Sequence, residues 1–278
     1  MSEAASCGDL LAAHFEAGRH VCVGLDTDVA RMPASLRPTW APELRVVAFN
    51  EAVIEATADI ACAFKPNSAF YEALGHAGIE ALAGTIAAAK RIAPEVPVIL
   101  DAKRADIGNT NNGYVRAAFE NLGADAITVH PYLGREALEP FLAQTQKLIF
   151  VLARTSNPGA GEFQDLVVDG VPIYRRVAQA VAGSWNAANN CGLVVGATYP
   201  QELGLVREDV PATMPVLVPG VGAQGGDLAT VVEAHRAAGS SAFLINASRS
   251  IIYASDGDDF AEAAHAEAKR LHEAIREV

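Results

Sequence analysis

No stretch of this chain is apolar for long enough to cross a bilayer as a helix, which takes about 20 residues. The N-terminus has no basic segment followed by an apolar core, so no secretory leader is expected. Cysteine is scarce. Cys7, Cys22, Cys62 and Cys191 lie far apart and none forms a Cys-x-x-Cys pair, which argues against a zinc ribbon or a disulfide scaffold. Cys22 and Cys62 sit in apolar, strand-like runs and read as buried thiols of a reducing compartment, so a cytoplasmic location is expected. No pair of histidines has metal-ligand spacing, and there is no Gly-x-Ser-x-Gly nucleophile elbow. Positive charge is also short: 21 Lys and Arg face 33 Asp and Glu, a net charge of −12. Non-specific nucleic-acid binding needs the opposite balance, and an anionic substrate would have to be met by local cations.

What the chain does have is a regular alternation. Short apolar runs rich in β-branched residues recur at 21–26, 61–65, 98–100, 126–130, 148–152, 193–195, 216–218 and 242–246. A continuous apolar run of this length reads as a strand buried on both faces. Helical spacing follows most of them. Over 43–60, Leu44, Val47, Ala48, Val53 and Ile54 are expected to share an inward face. The region 71–93 is one long helix with a break at Gly75 or Gly78, and Asp227 caps a helix ending near residue 238. Residues 1–18 form a lead-in helix, and 156–172 are irregular and long enough to be a lid. Eight strands with intervening helices in 278 residues predict a single (β/α)₈ barrel, a TIM barrel, with a doubly wound open sheet as the alternative.

In such a barrel the working residues follow the strands, and polar side chains gather there: Asp26, Lys65, Asp101, Lys103, Asp106, Ser156, Gln224 and Arg249. The richest stretch is 97–110. Residues two apart on a strand share a face, so Asp101 and Lys103 point the same way. One reading is a structural ion pair. The other is a site where a lysine held among carboxylates acts as a general acid, since the acids favour its charged form. A lysine between carboxylates also speaks against a divalent metal there, so no metal is expected. The glycine-rich segment 219–227 and Arg249 form either a tight turn or a phosphate site, where glycines admit an anion to the backbone and arginine grips it bidentately.

The run Asp101-Ala102-Lys103-Arg104-Ala105-Asp106-Ile107-Gly108-Asn109-Thr110 resembles the Asp-x-Lys-x-x-Asp-Ile-x-x-Thr signature of the orotidine 5′-phosphate decarboxylase family. Gly24-Leu25-Asp26, Phe64-Lys65, the 219–226 loop and Ser248-Arg249-Ser250-Ile251 resemble further motifs of that family, in the same order. The insert at 27–42 and the Arg104–Ala105 pair are similar to its longer bacterial subclass, although a glycine is more usual at Ala105. The resemblance implies a cofactor-free, metal-independent decarboxylation of orotidine 5′-phosphate in pyrimidine biosynthesis. It implies that Lys103 protonates C6, that Asp101 sits against the substrate carboxylate, and that Lys65 holds Asp101 or the ribose. It gives Asp26 a ribose hydroxyl, Ser156 the pyrimidine, and Pro219, Gln224 and Arg249 the phosphate end. Asp106, Ile107 and Thr110 would enter the partner's site in a homodimer. The rivals are a metal-dependent sugar-phosphate decarboxylase or aldolase of the same superfamily, which would carry an acid where this chain has Lys65, and a non-catalytic barrel that binds a phosphorylated ligand.

Overall fold

Eight strands run parallel in one sheet: β1 Val21–Gly24, β2 Ala61–Lys65, β3 Ile99–Arg104, β4 Ala126–Val129, β5 Leu148–Arg154, β6 Cys191–Val195, β7 Val216–Pro219 and β8 Phe243–Ala247. The computed structural model describes residues 5–221 and 226–278. Neighbours follow the order β2-β1-β8-β7-β6-β5-β4-β3. The remaining seam, β2 to β3, is held by the parallel bridges Phe64–Val98 and Asn67–Asp101, with Asp101 N–H donating to Pro66 O at 3.0 Å. The sheet is therefore rolled into a barrel and the open-sheet alternative falls.

The two-residue period of the strands sorts the core into two shells. Odd-numbered Val21, Val23, Ile149, Val151, Phe243 and Ile245 pack outward beneath the helices. Cys22, Phe150, Val194, Leu217 and Leu244 fill the interior, where Cys7, Leu11 and Phe15 of the first helix, Cys7–Glu16, join them. That helix is tied to the residue two before β5, Cys7 N–H donating to Gln146 O at 3.1 Å, so it plugs the N-terminal end of the barrel. Ser6 and Asp9 cap it reciprocally. With one end plugged by apolar side chains, the polar residues at the opposite strand ends line the accessible mouth.

The helix after β1 spans Pro42–Thr57 and buries Val46, Phe49, Asn50, Val53, Ile54 and Thr57. This corrects the expected face: Leu44 is exposed, and Val47 and Ala48 are half-buried. The inward stripe includes two polar residues because both are hydrogen-bonded. Thr57 Oγ1 donates to Val53 O, and Asn50 Nδ2 donates to Tyr71 Oη and Thr85 Oγ1. The long helical region breaks as expected at Gly75, whose φ of +68° ends a short helix, Ser68–Glu72, before Gly75–Ile92 begins. Residues 156–172 are more ordered than an irregular loop. They form the turns Pro158–Ala160 and Gly161–Gln164, then a two-stranded hairpin pairing Val167–Val168 with Val171–Pro172.

Candidate active site

A cavity of about 510 Å³ opens at the C-terminal ends of the strands. The inward parity of β2, β3 and β4 delivers Lys65, Asp101 and Thr128 to its floor, and a local distortion of β3 adds Lys103. Asp101 is the centre. Its Oδ1 accepts from Lys103 Nζ at 2.6 Å and from Thr128 Oγ1 at 2.8 Å, and its Oδ2 accepts from Lys65 Nζ at 3.0 Å. The Lys65 side chain is 4% exposed, that of Asp101 11%, and that of Lys103 48%. The two lysines therefore differ: one is sealed beneath the carboxylate, and the other reaches into the cavity with an open side.

Burial alone would raise the Asp101 carboxyl, but the ammonium groups of Lys65 and Lys103 outweigh it and hold the group well below the usual carboxylate range. For Lys65, burial pulls the ammonium down, while Asp101 and then Asp26 pull it further up, leaving it above its ordinary value. Both members of the buried pair are thus charged at neutral pH. Asp26 follows β1 and points into the same cavity, where its Oδ1 is sealed from solvent and has no hydrogen-bond partner among the described residues.

The far wall is made by the ends of β7 and β8. Pro219, Gly220 and Ser248 line it with Arg249, which opens the short helix Arg249–Ile252. Gly220 has φ +94°, a conformation that favours glycine, and it turns the chain out of β7. Arg249 is exposed at the cavity edge and forms no ion pair among the described residues. The floor sets two ammonium groups against the carboxylates of Asp101 and Asp26, whereas the rim offers the Arg249 guanidinium, suited to an anionic group of a ligand.

A family model described as "Orotidine 5'-phosphate decarboxylase / HUMPS family" matches residues 19–264, a span that holds every residue named above in this cavity. The chain belongs to that family. A relative from Herpetosiphon aurantiacus, named orotidine 5′-phosphate decarboxylase, is 53% identical over 245 residues, 88% of each chain. The solved OMP decarboxylase of Leishmania donovani superposes with a TM-score of 0.83 at 39% identity, covering 98% of both chains. The UMP synthase of the same organism gives a TM-score of 0.86 at 40% identity over 98% of this chain, but this chain spans only 56% of that longer protein. This member of the orotidine 5′-phosphate decarboxylase / HUMPS family is an enzyme, a carbon–carbon lyase.

The cavity brings together Asp26, Lys65, Asp101, Lys103, Ser156, Pro219 and Arg249 of the residues anticipated from sequence. Ser156 is seated closely: a Cβ on Gly196 would lie 2.7 Å from its Cβ, and Thr198 Oγ1 donates to its carbonyl. Asp106, Ile107 and Thr110 are not brought into the cavity of their own chain. Ile107 is 63% exposed and Thr110 is exposed, while the Asp106 carboxylate accepts the Ile107 N–H at 2.6 Å. Gln224 lies outside the described residues, as do Gly222, Ala223 and Gly225. Sequence reasoning missed Asn67, Thr128, Asn246 and Ser248 in the lining. The signal for Thr128 was present, as a lone polar residue at the inward parity of an otherwise apolar strand.

Proposed function

We propose that this enzyme converts orotidine 5′-phosphate to uridine 5′-phosphate in pyrimidine biosynthesis, without metal or cofactor, and that Lys103 supplies the proton. The observation that carries this reading is the Asp101 carboxylate gripped by one sealed and one accessible ammonium. The substrate carboxylate would lie against Asp101 and Lys103. As the C6–carboxylate bond breaks, its electron pair stays on C6 and carbon dioxide departs. The Lys103 ammonium gives its proton to C6, and the resulting amine recovers one from solvent. The pair on C6 lies in the ring plane and cannot spread into the π system. Catalysis must therefore come from fixed charge and positioning, at about 1.36 kcal/mol per tenfold in rate.

In this reading Lys65 keeps Asp101 ionised and in place, and the unpartnered Oδ1 of Asp26 takes a ribose hydroxyl. Ser156 contacts the pyrimidine from the lid over 156–172, and Pro219, Gln224 and Arg249 hold the phosphate end. Phosphate binding far from C6 then supplies energy for closing the site. The half-buried Asp106 and the exposed Ile107 and Thr110 complete the site of a second copy, making the enzyme a homodimer. Four unpaired, buried cysteines agree with a cytoplasmic location. Metal independence is supported by the ligand chemistry: a divalent cation at Asp101 would have to displace two ammonium groups, and no His/Cys/Asp/Glu metal cluster is gathered among the described residues.

The test is loss of pyrimidine absorbance as orotidine 5′-phosphate is consumed, with and without a chelator. Lys103→Ala is expected to abolish turnover while still binding uridine 5′-phosphate. Near-wild-type activity in that variant refutes the proton-donor role, and chelator-sensitive activity refutes metal independence.

A further inference from the structure

We infer that Thr128 is a positioning residue for the lysine that donates the proton: its hydroxyl fixes the backbone of Lys103 and the carboxylate of Asp101 together. The inference rests on the role proposed above for Lys103. It starts from a fault in the sheet. Leu100 pairs with Ile127 and Arg104 with Val129, so between these pairs β3 holds three residues, Asp101–Lys103, where β4 holds Thr128 alone. Lys103 takes φ +46°, a left-handed conformation that L residues other than Asn and Asp seldom adopt.

A bulge frees backbone groups that the ladder would have satisfied, and each needs another partner. The amide of Asp101 is not one of these, since it faces the β2 side and keeps the seam there by donating to Pro66 O at 3.0 Å. The amide of Lys103 turns to β4 and donates not to its backbone but to Thr128 Oγ1, at 3.0 Å. The Thr128 hydroxyl in turn donates a hydrogen bond to Asp101 Oδ1 at 2.8 Å. A hydroxyl offers one donor and two acceptor positions, so both bonds form at once. Thr128 is 1% exposed, and its branched Cβ leaves few rotamers, which makes the hydroxyl a rigid link.

The consequence concerns the Lys103 ammonium. It leaves the backbone at the bulge and returns to Asp101 Oδ1, the same oxygen that Thr128 grips. One hydroxyl thus sets both ends of the lysine: the unusual backbone that aims it and the carboxylate that anchors its tip. Without that link the bulge can relax towards ordinary strand geometry, and the ammonium leaves its place over the cavity floor. A misplacement of about 1 Å costs on the order of 100-fold in rate.

The test uses Thr128→Val, which keeps the shape and deletes the hydroxyl, and Thr128→Ser, which keeps the hydroxyl. Thr128→Val is expected to lower kcat about 10- to 100-fold, with the Kd for uridine 5′-phosphate changed less than about threefold. Thr128→Ser is expected to recover most of kcat. A structural role alone would lower the thermal midpoint of both variants without separating kcat from product binding. Thr128→Val with wild-type kcat, or a Ser variant as slow as the Val variant, overturns the inference. Lys103→Ala, measured alongside, separates the two claims. If it retains activity the proton-donor reading fails, whereas an inactive Lys103→Ala beside a fully active Thr128→Val sinks only the role of Thr128. If neither Thr128 variant folds, Asp101→Glu at the anchoring oxygen provides the second arm: unchanged kcat there also overturns the inference.

Discussion

Replacing Asp101 by asparagine isolates the energetics of the charged floor. The side chains are nearly isosteric, so packing is retained while the negative charge is lost. The Lys65 ammonium, 3.0 Å away, is sealed from water and has no other hydrogen-bond acceptor among the described residues. At that distance an effective dielectric of 20 gives an attraction of about 5.5 kcal/mol, from which the cost of burying both ions must be subtracted. Removing one member of a buried pair while leaving the other typically costs about 3–5 kcal/mol. The contact with Lys103 adds little to this figure, because that side chain is half exposed and screened by solvent. Asp101→Asn is therefore expected to lose about 3–5 kcal/mol of stability, a fall in thermal midpoint of roughly 6–20 °C.

Urea unfolding followed by fluorescence at pH 7 measures the loss, and a second variant gives it meaning. If the cost is the stranded ammonium, adding Lys65→Met removes the stranded charge, and the double variant regains more than half of the deficit. The pH window follows from the directions of the two shifts. Asp101 lies below its unfolded value, so its contribution is present above about pH 4 and declines as the pH falls below that. Lys65 lies above its unfolded value, so its contribution is present below about pH 10 and is lost as the pH rises through the folded value. The deficit of the Asn variant should be flat from about pH 5 to pH 9. A variant as stable as the parent, or a double variant that regains nothing, refutes the view that the floor is a coupled charge pair.

The strands were legible in sequence because a parallel barrel buries both faces of each one, which leaves uninterrupted β-branched runs. The charged positions were legible for a related reason: a charge at the end of such a run has nowhere to go but the mouth. What was illegible was polar chemistry placed inside. Asn50 stands outside the apolar face expected over 43–60, yet it is fully buried. Thr27 Oγ1 donates to its Oδ1, its Nδ2 donates to Tyr71 and Thr85, and Tyr71 in turn donates to Leu25 O. The helix turns that stripe inward because the network holds the chain on both sides of Asp26, a tertiary requirement that periodicity does not encode.

Arg154 is the same lesson beside the 156–172 segment. A charged residue after Leu152 looks like the end of a strand, but β5 continues to Arg154, which is 1% exposed. The 156–172 segment supplies part of the cover, where Asp165 pairs with the guanidinium and Gln164 accepts from it, and the Tyr199 ring after β6 stacks on it at 3.7 Å. These partners lie 10 to 45 residues away, so no local window contains the reason. The hairpin at Val167–Pro172 was, by contrast, available. Asp169–Gly170 is a favoured two-residue turn, and both residues have positive φ. Strands of two residues are simply too short for an alternation to register.

Two further perturbations probe the rim and the core. Gly24 ends β1 against the segment that carries Arg249, and a Cβ there would lie 1.7 Å from Ser248 Oγ and 3.1 Å from its Cα. Gly24→Ala must push that segment away, so the KM for orotidine 5′-phosphate is expected to rise about tenfold or more; an unchanged KM would remove Ser248–Arg249 from the phosphate end. His235 is fully buried, stacked on Phe243 with centroids 4.6 Å apart, and neither ring nitrogen has a partner among the described residues. Burial first, then Arg207 and His20, hold its pKa well below the ordinary value. The unfolded chain therefore takes up a proton that the folded chain refuses. Stability is undiminished above about pH 6.5 and falls as the pH drops, by up to about 1.36 kcal/mol per pH unit, or roughly 2 kcal/mol by pH 5. His14, His20 and His272 are shifted the same way and steepen the slope. His235→Leu should match or exceed the parent at pH 7 and lose roughly 2 kcal/mol less between pH 7 and pH 5, read from urea midpoints at the two pH values. Equal losses in parent and variant would mean that this imidazole accepts its proton in the folded barrel, and that the barrel base tolerates a charge its packing gives no means to solvate.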